Sequence, residues 1–183
     1  MDKAIHASVV ALLDRVGYSG LRVDDVADLA QVSKTTIYRR WPTKAALVVD
    51  VLSSLKATQV PIPATGDFEA DLRSIVYDLY ASLASTTLGR ALPGLVSEKV
   101  ADPDLANAIE NLWKARQKLV AGVIRQGMKT GQTRADLDVQ VVLELLAASA
   151  YYRLLLTGQP LDRRSATRHA NALLELIRPL PLR

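Results

Sequence analysis

The sequence predicts an all-α protein of nine helices in two domains. Three observations carry this reading. Apolar residues recur at helical spacing along nearly the whole chain, and strand-like alternation is missing. Pro61, Pro63 and Gly66 break the chain, which places the domains at 1–58 and 67–183. Before that break, short helical stretches are separated by the tight turn of a helix-turn-helix.

The first helix is predicted over about Asp2 to Val16. Ile5, Val9, Leu12, Leu13 and Val16 form its stripe, and Gly17 takes the usual glycine position at its end. The second covers Val23 to Leu29. Its apolar end (Val26, Ala27, Leu29, Ala30) runs into a turn at Gln31 and Val32. Ser33 caps a third helix, Lys34 to Arg40, because its hydroxyl can accept a backbone N–H that a helix start leaves unpaired. Pro42 closes that helix, since the residue before a proline is pushed out of the α region. Thr43 caps a fourth helix, which joins the first domain to the rest and runs to about Thr58.

In the second domain Asp67 caps a helix to about Thr87, with Phe68, Leu72, Ile75, Val76, Leu79 and Leu83 on one face. A shorter helix follows from about Ala91 to Ala101. Asp102-Pro103 pairs a capping side chain with a proline at the first helical position. The long helix it opens reaches about Thr130, with Leu105, Ile109, Leu112, Trp113, Leu119, Val120, Val123 and Ile124 in its stripe; Gly131 stops it. Asp138 caps the next, Val139 to Thr157. Gly158 and Pro160 break the chain, and Asp162 caps a last helix to about Arg178.

Composition narrows the function. At 49% apolar and 23% charged residues the chain is ordinary for a globular protein. It has no cysteine, which excludes disulfides and thiolate metal sites and suits a reducing cytoplasm. Its two histidines, His6 and His169, stand at opposite ends of the sequence, so no metal site is expected. His6 is expected on the surface and His169 at a subunit interface. No cofactor is expected, because no glycine-rich phosphate loop is present. No catalytic constellation is found either, as there is no nucleophile elbow and no zinc spacing. The acidic pairs Asp24-Asp25 and Asp102/Asp104 read as helix starts. No charged segment followed by an apolar one opens the chain, so no secretory signal is expected. The most apolar run, Val141 to Leu156, carries Glu144 and Arg153, which argues against a membrane span.

The net charge of +4 is concentrated. Residues 30–56 hold five cations (Lys34, Arg39, Arg40, Lys44, Lys56) against Asp50 alone, and the remainder balances. On a solvated helix face such a cluster means little. Around a helix-turn-helix it is an electrostatic footprint for nucleic acid.

The segment from Ile5 to about Leu52 resembles the DNA-binding domain of the tetracycline-repressor (TetR) family of bacterial transcription regulators. The matching residues are Gly17-Tyr18, Val23-Asp24-Asp25-Val26-Ala27, Val32-Ser33-Lys34, Ile37-Tyr38-Arg39 and Trp41-Pro42-Thr43-Lys44-Ala45-Ala46-Leu47. The chain departs from the family at Gln31, where glycine is common, at Thr35, where a small residue is common, and at Arg22, where Ser or Thr often caps the second helix. It also begins almost inside its first helix, where many relatives carry a basic arm. The resemblance implies nine helices, an N-terminal three-helix head and a C-terminal domain for ligand binding and dimerisation.

The residues expected to meet DNA are Arg22, Lys34, Thr35, Thr36, Tyr38, Arg39, Arg40, Thr43 and Lys44. Lys34 and Thr36 stand at the start of the recognition helix, where helix-turn-helix proteins touch bases. Tyr38, Arg40 and Lys44 match family positions that meet phosphates. Arg39 suits either role, and Arg22 reaches a phosphate in place of capping. Ile37 and Trp41 read as core. The partner is double-stranded operator DNA, roughly palindromic, read by a homodimer. The helix from Val139 is apolar nearly all round and needs cover beyond its own subunit. In the family the last two helices supply the dimer contact, and Ala147, Ala148, Ser149 and Ala150 would allow close approach.

By resemblance, an effector pocket lies among helices 5 to 8. Tyr77, Tyr80, Trp113, Arg116, Tyr151, Tyr152 and Arg153 are aromatic or charged on otherwise apolar helices, and suit a small hydrophobic or aromatic effector. Aromatic residues at helical spacing are also ordinary core. Arg153 would need a partner if buried, with Glu98 and Glu144 as candidates. The reading is a cytoplasmic, ligand-released repressor. An activator or architectural DNA-binding protein without an effector is the alternative, and an enzyme with a borrowed helix-turn-helix is a further one.

Overall fold

The computed structural model describes residues 1–59 and 62–179. Pro61, one of the expected chain breakers, and residues 180–183 lie outside them. Among the described residues all regular structure is helical, in nine α-helices. They are α1 (Asp2–Gly20), α2 (Val23–Ala30), α3 (Lys34–Tyr38), α4 (Lys44–Gln59), α5 (Phe68–Ser85), α6 (Thr87–Glu98), α7 (Pro103–Lys129), α8 (Val139–Tyr152) and α9 (Arg163–Ile177). A π-helical turn, Arg153–Thr157, continues α8.

The capping side chains named from sequence hold their helix starts. Ser33 accepts from the Thr36 N–H, Thr43 from Ala46, Asp67 from Ala70, Asp102 from Leu105, Asp138 from Gln140 and Asp162 from Ser165. The ends of α1 and α6 differ from expectation. At Gly17 (φ 69°) the first helix kinks rather than stops, and one further turn follows to Gly20. α6 begins at Thr87 rather than Ala91 and accommodates Pro93 inside it. Its first turn is tied down by Asp14, whose carboxylate takes two bonds from the Arg90 guanidinium (3.0 Å each) and one from the Thr87 hydroxyl (3.3 Å).

The chain forms two compact units. The first comprises residues 1–59 and 85–113, so α6 and the start of α7 belong with the helix-turn-helix. Its core includes Ile5, Leu12, Ile37, Leu47, Leu52 and Leu95, each 2% exposed or less. Each such burial contributes about 1.5–3 kcal/mol. Polar bonds fasten α1 to the α6–α7 corner: Ser19 Oγ donates to Glu98 (2.7 Å) and the Tyr18 hydroxyl to Asp102 (3.1 Å). Val16 and Leu29, read as apolar-face residues, are exposed.

The second unit comprises residues 60–84 and 114–183. Phe68, Leu72, Tyr80, Ile124, Leu146 and Leu173 are among its buried residues. Gln132 stitches its loops: the side-chain oxygen accepts from the Phe68 N–H (2.9 Å) and the amide donates to the Gly66 carbonyl (3.0 Å). Leu119, assigned to the buried stripe of α7, is exposed. Val139–Thr157 is the one helix, among the described residues, long and apolar enough to cross a membrane (mean hydropathy 1.4), and only 22% of it is buried. Its exposed apolar residues Val141, Leu145, Ala148, Tyr152 and Leu156 follow one another at spacings of four and three, along a single face.

Candidate nucleic-acid interface

The α2–α3 turn is built without glycine. Gln31 adopts φ 54°, ψ 45°, and among the described residues no other non-glycine has positive φ. The Val32 N–H bonds to the Ala27 carbonyl (3.0 Å) and the Gln31 N–H to that of Asp28 (3.2 Å), the pair of bonds that closes a helix on a left-handed residue. So the turn keeps the geometry for which the family often uses glycine, at a cost of about 1–2 kcal/mol of left-handed strain.

α3 is shorter than expected. It ends at Tyr38, and Arg39 and Arg40 lie in a tightened turn where Arg40 N–H bonds to Ile37. Ile37 and Trp41 sink into the core, at 1% and 5% exposure. The Trp41 indole N–H donates to Asp50 (3.0 Å), and His6 lies against its ring at 6.1 Å. His6 is therefore packed, with Nε2 3.6 Å from Asp50, and is not the surface residue the sequence suggested. With Ile37 and Trp41 inward, Lys34, Thr35, Tyr38, Arg39 and Arg40 are exposed and Thr36 is half-buried.

Among the described residues, each cation expected to meet DNA except Arg39 has a partner inside the unit. Lys34 Nζ lies 2.7 Å from Asp24, which also meets Arg22 at 3.7 Å. The Lys34 hydrogen bond holds the Asp24 carboxyl below its ordinary range, and Asp24 holds the ammonium above its own. Arg40 pairs with Asp2 and stacks over Trp41. Lys44 Nζ donates to the Tyr18 carbonyl (3.1 Å) and stands 4.2 Å from the Tyr18 ring centre. Tyr18 is 2% exposed, and burial together with Asp102 pushes its phenol well above the usual range. Thr43 caps α4. Sequence reasoning did not supply Asp2, Tyr18 and Asp24 as the partners of these cations. Asp24 was read as a helix start only, although α2 and α3 meet at a tight turn that brings the two first turns together.

The residues expected around an effector are divided. Trp113 packs, partly buried, against the core of the first unit, whereas Tyr77, Tyr80, Arg116, Tyr151 and Arg153 belong to the second. Tyr80 is a core residue, 1% exposed, with its hydroxyl bonded to Ser149 (3.0 Å). Tyr77 bonds Thr167, with the Arg163 guanidinium 3.7 Å from its ring centre. Arg116 is half-buried; burial lowers its pKa, and the carboxylate of Asp78 opposes this. Arg153 pairs with neither Glu98 nor Glu144. The π turn directs it to the Pro160 carbonyl (3.1 Å), while Glu98 takes Ser19 and Glu144 takes Gln140. His169 is packed within its own unit, donating from Nε2 to the Leu145 carbonyl (3.1 Å) and lying against Tyr80. The second unit also holds a cavity of about 500 Å³ between the start of α5 and the second half of α7. None of the seven expected ligand residues lines it.

Residues 6–51 match the family described as bacterial regulatory proteins, tetR family, and residues 62–173 match the tetracyclin repressor-like C-terminal domain. The chain belongs to the TetR family. This TetR-family protein is 32% identical over 161 residues (87% of this chain, 81% of the relative) to the uncharacterized HTH-type transcriptional regulator YdeS of Bacillus subtilis. It is 31% identical over 179 residues (96% and 93%) to the DNA-binding transcriptional repressor TetR of Mycobacteroides abscessus. The solved structure of the TetR family transcription regulator SCO0332 superposes with a TM-score of 0.81 at 36% identity, covering 96% of this chain and 97% of that one. The protein is thus a DNA-binding transcriptional regulator of the helix-turn-helix type, from a family whose members bind operator DNA as dimers.

Proposed function

We propose that this regulator is a ligand-released repressor, with residues 1–58 as its reading head and 67–183 as its effector and dimerisation part, working in the cytoplasm on the nucleoid. The supporting observation is the outward face of α3, where Thr35, Tyr38 and Arg39 are exposed because Ile37 and Trp41 anchor the other side. Lys34 and Thr36 read base edges. Tyr38, Arg40 and Lys44 hold phosphates, with Arg22, Arg39 and Thr43 beside them. Dimerisation uses α8 and α9. The exposed stripe Val141, Leu145, Ala148, Tyr152, Leu156 supports this, since a helix so apolar and so little covered needs a second surface. Two-fold symmetry then demands a roughly palindromic operator with half-sites about 34–36 Å apart or a multiple of that. An effector releases DNA only through its differential affinity for the competent and incompetent states.

Genomic footprinting tests this reading. It should return a roughly palindromic site, and binding to that site should weaken with salt at a log–log slope of about −4 to −7. A near-zero slope removes the phosphate assignment, and an asymmetric site removes the dimeric one.

A further inference from the structure

The cavity of the second unit has a floor and a charged wall. The floor is one face of α7, formed by Leu119, Gly122, Val123 and Gln126. These positions return to the same side of a helix. The wall is the start of α5, with Phe68 and Asp71. Two glycines of α7 face this region for different reasons. Gly127 lets the Phe68 ring approach; a Cβ there would stand 2.6 Å from a ring carbon. At Gly122 a Cβ would meet nothing within 4 Å. A glycine inside a helix weakens it relative to alanine, and close packing does not require this one. The helix is bare where it faces the empty space. Leu119, at the same face, is 58% exposed.

Asp71 is 3% exposed and is the one ionisable residue among those lining the cavity. Among the described residues, the donors that reach its carboxylate are neutral: the Thr65 N–H (3.2 and 3.0 Å to the two oxygens) and the Thr65 hydroxyl (2.7 Å). A carboxylate offers about four acceptor sites, and a buried charge is stabilised by an opposite one. The remaining lining is mostly aliphatic, aromatic or glycine. Such a site favours an apolar body with a positive head and rejects a carboxylate of like charge.

We propose that this cavity binds a small, largely apolar organic cation with its charged head against Asp71, and that this ligand is the effector. The second clause rests on the ligand-release reading above; the first does not. The test uses three probes with one body and three heads: 4-phenylbutylamine, 4-phenylbutan-1-ol and 4-phenylbutanoate. Calorimetric titration of the full chain measures binding, and fluorescence anisotropy on the footprinted operator measures release. The amine should bind at least tenfold more tightly than the alcohol, and the carboxylate most weakly. Gly122→Leu covers the floor from a position where a Cβ meets nothing within 4 Å, so it should melt no lower than wild type yet lose amine binding more than tenfold. Asp71→Asn should bind amine and alcohol alike; if it fails to fold, Gly122→Leu decides alone. Carboxylate binding as tight as the amine's, unchanged amine affinity in Gly122→Leu, or no amine binding at all overturns the site. Amine binding that Gly122→Leu abolishes, with operator still held by the wild type, supports the site and overturns ligand release by it.

Discussion

Replacing Lys44 with alanine separates two roles that the fold gives to one side chain. In the free protein its ammonium donates to the Tyr18 carbonyl at 3.1 Å and sits 4.2 Å from the Tyr18 ring centre. A hydrogen bond from a charged group contributes about 1.5–3 kcal/mol and a surface cation–π contact about 0.5–1. Lys44 is half-exposed, so water takes up much of the loss, and about 1–2 kcal/mol is expected. For a chain of this length that lowers the melting temperature by about 2–8 °C. On DNA the same substitution removes one phosphate contact per subunit. The log–log salt slope should become shallower by about 2, and affinity should fall alike for operator and random sequence. The assay is an anisotropy titration at several salt concentrations, run well below the variant's melting point, with Lys44→Arg beside it. A lower melting temperature with an unchanged slope would refute the phosphate role and leave Lys44 a tether of α1 to α4. No change in either would refute both.

Gln31→Gly should stabilise the head, because about 1–2 kcal/mol of left-handed strain is removed against about 0.5–1 of added chain entropy; a denaturation midpoint no higher than wild type would contradict this. Ala148→Glu places a charge on the exposed face of α8, so the subunit should fold unchanged while sedimentation shows dissociation of the dimer; a dimer of undiminished affinity would move the interface elsewhere. His169 is held below its ordinary pKa, first by burial, and so binds fewer protons folded than unfolded. Stability should therefore fall as pH drops below about 6.5, toward the lowered folded value, and His169→Gln should lose that part of the pH dependence.

The helix starts were legible because their signals are local. Ser33, Thr43, Asp102, Asp138 and Asp162 mark helix starts through bonds that span two or three residues, and the structure forms those bonds. Ile37 and Trp41 follow from the resemblance, which places them where the family holds its recognition helix onto the head, and both are buried. The misplaced residues depend on contacts distant in sequence. α6 starts early because Asp14, some 70 residues before it in the chain, holds Arg90 and Thr87. Trp113 sits on one uninterrupted helix with Arg116, yet the chain divides between the two units after it. Arg153 turns toward Pro160 because the last turn of its helix is π-helical, and periodicity does not reveal such a turn. The cavity left no signature distinct from core, because its Phe68, Leu119 and Val123 stand on stripes that read as buried helix faces. Its mark in the sequence is Gly122, a glycine in mid-helix, and only the empty space beside it gives that glycine a meaning.

The carboxylates of the head bear directly on how it chooses DNA. Lys34 and Arg22 share Asp24, and Arg40 holds Asp2. A phosphate approaching Arg22 or Arg40 does not meet bare charge. It must replace a carboxylate already in place, so each contact exchanges one anion for another and gains less than a free cation would give. Phosphates occur on every sequence, and the same discount applies to all DNA. A base contact from Thr36, whose hydroxyl meets that of Ser33 and no carboxylate, would carry no such discount, whereas one from Lys34 would have to displace Asp24. The pairing of Arg22 and Arg40 therefore lowers the affinity common to all sequences, while that of Lys34 weighs on a base contact. It also fixes side chains that would otherwise be mobile: Lys34 leans to Asp24 with Tyr38 5.8 Å from its ammonium, so the start of the recognition helix meets the groove with one arrangement already favoured.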